Sequence, residues 1–298
     1  MQLNHITGNS YYLDGESAVG VYVFPDYSCL LIDSGHSESH AKKIMDVLSE
    51  QGLKVQVIFN THAHVDHCGG NANIQAQNQC RIIASPQAAV VIENPLLGPA
   101  MLFGAYPLRV LRSRAIMAHS SKVDKVVQPG YLIINNMEFH VLDLPGHSFG
   151  HLGLVTPDEV AFLGDGLMHE KMLADYPFLY VVDITSQLAT LDLILQSSWS
   201  KVFITHGGLV DDLALSVKNN QNRISRITDE IMTLIETSRS REEILAAMIK
   251  IYNLRVNSAQ YYLVSATISA FLSHLCQQKK LHNRVEDGVM KFSRSIQL

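Results

Sequence analysis

The stretch Thr61-His62-Ala63-His64-Val65-Asp66-His67-Cys68-Gly69-Gly70 decides how this chain is read. It follows Val55 to Phe59, an apolar, β-branched run that predicts a buried strand. Four metal-ligand side chains in six residues are too dense for histidines that merely fill a core. In an extended segment His62 and His64 project to the same side, and the turn that follows sends Asp66 and His67 toward a neighbouring point. Two ligand pairs therefore aim at two sites. A loop this short cannot close a coordination sphere around two ions, so further ligands are expected at other strand ends.

Three later segments meet that requirement. They are His147 in Leu144-Pro145-Gly146-His147-Ser148, Asp165 in Leu163-Gly164-Asp165-Gly166, and His206 in Ile204-Thr205-His206-Gly207-Gly208. Each follows an apolar strand pattern and borders glycine, which lets the backbone turn sharply and approach closely.

Around these segments the pattern alternates. Strands are predicted over Gly20 to Phe24, Cys29 to Ile32, Arg81 to Ala84, Glu138 to Leu142, Leu152 to Val155, Val160 to Leu163 and Lys201 to Ile204. Helices are predicted over Ser39 to Gln51, Pro86 to Ile92 and Thr185 to Gln196. Pro95 to Arg114 breaks the alternation with large apolar residues and no clean period. It serves either as a lid that brings Arg109, Arg112 or Arg114 to an anionic substrate, or as a packing or dimer surface. From Asn219 the spacing turns helical, with a capping box at Ser240 to Glu243 and a long helix from Asn257 or Ser258 to about Gln278. Val285-Glu286-Asp287-Gly288-Val289 then predicts a small hairpin.

Composition narrows the class. The 298 residues are 47% apolar, enough to bury a large core in one domain or a main domain with an appendage. No run approaches the roughly 18 apolar residues a membrane helix needs, and no basic leader precedes an apolar stretch, so a cytoplasmic protein without a membrane partner is expected. Four scattered cysteines exclude a disulfide framework or a thiolate cage. The formal net charge of −5 hides an asymmetry: residues 1–218 carry 12 basic against 21 acidic side chains, and residues 219–298 carry 11 against 7. A mildly basic tail fits docking on an acidic body or a second subunit as well as on nucleic acid.

The four ligand-bearing segments, in order and local character, resemble the metallo-β-lactamase superfamily over about residues 10–215. The resemblance implies an α/β fold, a four-layer αββα sandwich over residues 1–218, followed by a small helical, winged-helix-like module over 219–298. It implies that His62, His64 and His147 hold one metal ion, that Asp66, His67 and His206 hold the other, and that Asp165 bridges both. The expected cofactor is two divalent ions, zinc by default, with iron or manganese compatible with a thiolate-free ligand set. Asp66 and Asp165 are the carboxylates expected to take part in catalysis, in which a hydroxide shared by ions roughly 3.5–4 Å apart attacks the substrate. Asp33 is expected to orient a ligand histidine, His151 and Cys68 to be structural, and His169 to lie either in the pocket or on the surface. The Tyr176 to Tyr180 stretch either faces substrate or packs.

Departures from known branches sort the function. True β-lactamases of the family carry cysteine where Asp165 stands, which disfavours antibiotic hydrolysis. Pro145 to His151 resembles the glyoxalase II group, whereas the tail resembles a branch that includes acyl-carrier thioesterases and an RNA endonuclease. A hydrolase of small-molecule thioesters, esters or lactones is therefore expected first. RNA endonuclease or phosphodiesterase activity is the alternative, and a homodimer fits the apolar insertion and helical tail.

Overall fold

The computed structural model describes residues 1–176 and 178–295. Pro177, in the stretch read as facing substrate or packing, lies outside the described residues.

Two sheets face each other. The first runs in chain order through β1 (Leu3–Thr7), β2 (Ser10–Leu13), β3 (Val19–Val23), β4 (Ser28–Ile32), β5 (Lys54–Phe59), β6 (Arg81–Ala84) and β7 (Lys125–Val126). The second contains β8 (Gly130–Ile134), β9 (Met137–Asp143), β10 (Leu152–Val155), β11 (Val160–Phe162), β12 (Lys201–Ile204) and β13 (Gly208–Leu209), in the spatial order β13-β12-β11-β10-β9-β8. Strands β4 to β7 are parallel neighbours. The innermost of them are buried on both faces toward their C-terminal ends, which is why β5 finishes in the continuous apolar run Val57-Ile58-Phe59. The β1–β2 hairpin escaped the sequence reading because its strands are half-exposed and polar.

Tyr22, Phe24, Phe59, Phe139 and Phe162 fill the space between the sheets. Helices α1 (Glu38–Glu50), α2 (Val65–Cys68), α3 (Asn71–Asn78), α4 (Pro86–Glu93), α5 (Leu97–Phe103), α6 (Glu170–Asp175) and α7 (Ile184–Leu195) follow in chain order. Ile44 and Leu48 of α1 and Ile74 of α3 cover the outer face of the first sheet. The outer face of the second, with Ala161, Val202 and Ile204, is covered by α7 and by the tail helices α8 (Leu213–Leu234), α9 (Arg241–Ile251) and α10 (Ser258–Gln277). The result is the expected four-layer αββα sandwich.

The tail closes with β14 (Arg239–Ser240), β15 (Leu281–Glu286) and β16 (Val289–Arg294), and the Asp287-Gly288 turn of its hairpin takes positive φ at both residues. Helix α8 starts at Leu213, six residues before the expected Asn219, because the Asp212 side chain accepts from the Leu215 N–H and caps it there. Position 218 thus lies inside a helix. Phe103 of the 95–114 insertion packs its ring on Tyr262 of α10 at 5.4 Å, while Arg112 donates to the Tyr106 hydroxyl and Arg114 to the Ala118 carbonyl. These contacts match the packing alternative for the insertion.

Since Ile231 is fully buried in the cluster that joins the second sheet to α7–α10, body and tail share one core. Ile231→Ala should destabilise the chain by about 2–5 kcal/mol, the usual range for such truncations. Denaturant unfolding followed by far-ultraviolet circular dichroism should show this as one shifted transition, not as a separate early loss of the tail.

Candidate metal centre

All the strand ends that matter open on one edge of the sandwich, where ligands of parallel sheets commonly sit. Asp33 follows β4, the 61–67 loop follows β5, and the loops of His147, Asp165 and His206 follow β9, β11 and β12. Backbone hydrogen bonds stitch the two sheets together here, from the Leu152 N–H to the Thr61 carbonyl (2.8 Å) and from Ala18 to Thr205 (3.2 Å). Gly164, at φ +54°, has no room for a side chain: a Cβ would lie 2.8 Å from the Thr61 hydroxyl.

The seven expected ligand residues come together in two groups that share Asp165. His62, His64, His147 and Asp165 form one, and Asp66, His67, Asp165 and His206 the other; within each group one donor atom per residue lies within 4.8 Å of the rest. In the first, the Nε2 atoms of His62 and His147 each approach Nδ1 of His64 at 2.9 Å. In the second, His206 Nε2 lies 3.0 Å and His67 Nε2 3.6 Å from Asp66 Oδ2. Asp165 faces both: Oδ2 is 3.4 Å from His147 Nε2, and Oδ1 is 3.4 Å from His67 Nε2 and 3.8 Å from His206 Nε2.

Supporting residues set which ring nitrogen faces inward. The Asp33 carboxylate meets His67 Nδ1 at 2.7 Å, leaving Nε2 for the centre. Asp33 also accepts from the Thr61 N–H and hydroxyl, and the Thr61 hydroxyl in turn meets His62 Nδ1 at 3.0 Å. Asp33 itself holds φ +67°, in the left-handed region that favours glycine and is strained for an aspartate. The Glu16 carbonyl fixes His206 through Nδ1 (2.9 Å). His151, expected to be structural, is buried and accepts the backbone N–H of Asp165 at Nε2 (3.1 Å), so it holds the shared carboxylate rather than adding a ligand.

The electrostatics favour a cation. Burial holds the neutral form of His62 and His64, with His64 down to about 3 and His62 lowered further by its neighbour His67. Burial also lowers His147, keeping its lone pair free. Although burial opposes charge on His67, the carboxylates of Asp165, Asp33 and Asp66 push it well above the ordinary histidine range. Burial likewise favours a neutral Asp165, yet His67 and His147 hold it well below the usual carboxylate range. The carboxylates thus demand positive charge at His67 Nε2, which a proton or a metal ion supplies. Buried His67 Nε2 and Asp165 Oδ1 have no hydrogen-bond partner among the described residues, and this donor set of imidazole and carboxylate fits divalent metal ions.

A search for relatives agrees. The description "Metallo-beta-lactamase superfamily" matches residues 14–206, spanning all seven donors. The chain belongs to this superfamily. It is 21% identical over 222 residues to an atrochrysone carboxyl ACP thioesterase of Pseudocercospora fijiensis, covering 74% of this chain and 56% of that one. It is 22% identical over 228 residues to hydroxyacylglutathione hydrolase 1 of Vibrio vulnificus, covering 76% and 74%. Several curated relatives are spanned only in part, from 34% to 60% of their length. A metallo-beta-lactamase family protein of Thermus thermophilus shares the fold at TM-score 0.74 and 16% identity, over 96% of this chain and 98% of that one.

Other candidates fall outside the donor set. Cys68 is buried, its thiol pushed up by burial, with Sγ on the Ala63 carbonyl. His169 accepts from the Lys171 N–H and packs against Gly207 as the cap of α6. Tyr180, which the sequence could place only within a broader stretch, sets its ring 5.3 Å from that of His64 and 6.0 Å from His147, and burial raises its hydroxyl to about 12. No residue spacing pointed to it, because it reaches the cluster from an irregular loop.

Removing the shared support gives a test. Asp33→Ala strips His67 of its partner and Thr61 of its acceptor, and should weaken metal binding roughly 10–100-fold, as loss of an outer partner commonly does. Competition with a chromophoric chelator measures the change.

Proposed function

We propose that this chain is a metal-dependent hydrolase that holds two divalent ions, zinc by default, and cleaves a thioester, ester or lactone of a small molecule. One observation carries the proposal: the two oxygens of Asp165 face different donor groups, an arrangement that suits a carboxylate shared by two ions. Two ions bound there would acidify a shared water and polarise the substrate carbonyl. The first would be held by His62, His64 and His147, the second by Asp66, His67 and His206, with Asp165 common to both.

The chain's own residues do the rest. His62, His67, His147 and Asp165 are buried and shut water out from below, whereas His64, Asp66 and His206 are partly exposed and leave one side open. Substrate enters on that side, where the Tyr180 ring lines the approach and its hydroxyl, kept protonated, remains a hydrogen-bond donor. Asp66 stays ionised, since His67 and His206 outweigh the burial that favours its neutral form. It therefore binds cations and orients His206 instead of storing a proton.

The substrate class rests on two supports. One relative is an ACP thioesterase by name and another a hydroxyacylglutathione hydrolase. In addition, four of the tail's basic residues are paired at the surface: Arg226, Arg241, Arg284 and Lys291 each meet a tail glutamate, which leaves less unpaired charge for a nucleic-acid backbone. Residues 1–218 contain every donor, and residues 219–298 serve to seal the far side of the second sheet. A reducing, cytoplasmic setting suits the four free cysteines. Among the described residues no helix is long and apolar enough to cross a membrane.

Zinc-loaded protein should turn over at least one member of a panel of acyl thioesters, aryl esters and lactones. Asp165→Asn should lower kcat/KM by more than the roughly 10–100-fold typical of an outer-shell change. An inactive wild type, or a fully active Asp165→Asn, overturns the proposal.

A further inference from the structure

Helix α7 presents an anomaly. Its inward residues Ile184, Leu191 and Ile194 are apolar, yet Gln187 is also buried, at 5% exposure, among them. A polar amide in a core is costly unless its geometry is needed, and an apolar residue of similar size would otherwise serve.

Its position explains the need. Gln187 Nε2 donates to the carbonyl of Gly166, the residue after Asp165, at 2.9 Å. The Gln187 backbone sits against Gly146, the residue before His147, so closely that a Cβ on Gly146 (φ +132°) would lie 2.5 Å from the Gln187 Cα. The same end of the helix grips the His147 loop twice more. The N–H groups of Val182 and Asp183 both donate to the Gly146 carbonyl at 3.0 Å, and the Thr190 hydroxyl donates to the Pro145 carbonyl at 2.7 Å. One side chain thus ties the Asp165 loop to the helix that clamps the His147 loop.

Gln187 Oε1 is buried without a partner, and Gln187 lines a cavity of about 30 Å³ together with His147, Asp165, Ile227 and Phe271.

We propose that Gln187 is a positioning residue for the metal centre, holding the Asp165 loop in register with the His147 loop. This rests on the dinuclear reading given above. A buried glutamine suits this task because its amide carries a donor for the Gly166 carbonyl while its backbone packs against Gly146. Leucine would leave the Gly166 carbonyl without this donor.

Zinc titration against a chelator, run beside thermal unfolding of the metal-free proteins, separates positioning from plain stability. Gln187→Leu should weaken zinc binding roughly 10–100-fold while the metal-free chain still unfolds cooperatively. Zinc affinity indistinguishable from wild type overturns the inference, even if the melting temperature falls. Should Gln187→Leu fail to fold, Thr190→Val keeps the volume and removes only the hydroxyl on the Pro145 carbonyl. It should still loosen zinc binding, and unchanged affinity there overturns the inference too. A wild type that takes up no zinc instead sinks the dinuclear reading, so the two failures are distinguishable.

Discussion

Lone pairs crowd at the edge of this sandwich. The Nδ1 atom of His64 has an imidazole nitrogen 2.9 Å away on each of two sides, and the Asp165 carboxylate lies within 4 Å of three histidines. Such density without positive charge is repulsive, and burial removes the water that would screen it. A cation resolves the conflict, and the surrounding architecture is organised to hold the donors in place until one binds. Strands of both sheets end at this edge, aromatic rings packed edge-to-face fill the gap between the sheets, and backbone hydrogen bonds pin the loops across that gap.

Asp33 shows how far the constraint reaches. Its carboxylate supports His67 directly and His62 through Thr61, so one residue at the end of β4 orients a donor in each group. It does so from a backbone conformation that aspartate adopts at a cost. His151 and Gln187 act on the opposite loop, from the side of the second sheet, by holding the backbone on either side of the Asp165 side chain. Support therefore converges on Asp165 and His67 from both sheets, consistent with these being the most fully enclosed charged groups of the cluster.

What could be read from the sequence followed the local physics. The His62 to His67 loop was legible because ligand density and strand placement lie within ten residues. His147, Asp165 and His206 needed the family resemblance, since each is a lone residue between an apolar strand and glycine. The buried strands were clear from their apolar, β-branched runs, and the long tail helix from a cap at Asn257 or Ser258, of which the structure uses Asn257. By contrast, β1 and β2 carry little apolar signal, and the start of α8 depended on a single cap at Asp212. Glu16 and Gln187 were invisible, and Tyr180 was placed only within a broader stretch, for a different reason: their partners lie 190, 21 and 116 residues away along the chain, so no local pattern encodes them.

The tail belongs in the same argument. Ile224, Ile227 and Phe271 line the cavity whose other wall is His147 and Asp165, so the helices after position 218 stand directly behind the donor atoms. Because the core is continuous across that position, removing the tail would expose the apolar face of the second sheet and unseat α7, the helix that clamps the His147 loop. Loss of an activity on tail deletion would therefore say nothing about what the tail binds. Point changes on its exposed hairpin, such as at Lys291 or Arg284, leave that core untouched and are the sound way to ask whether the tail meets a partner.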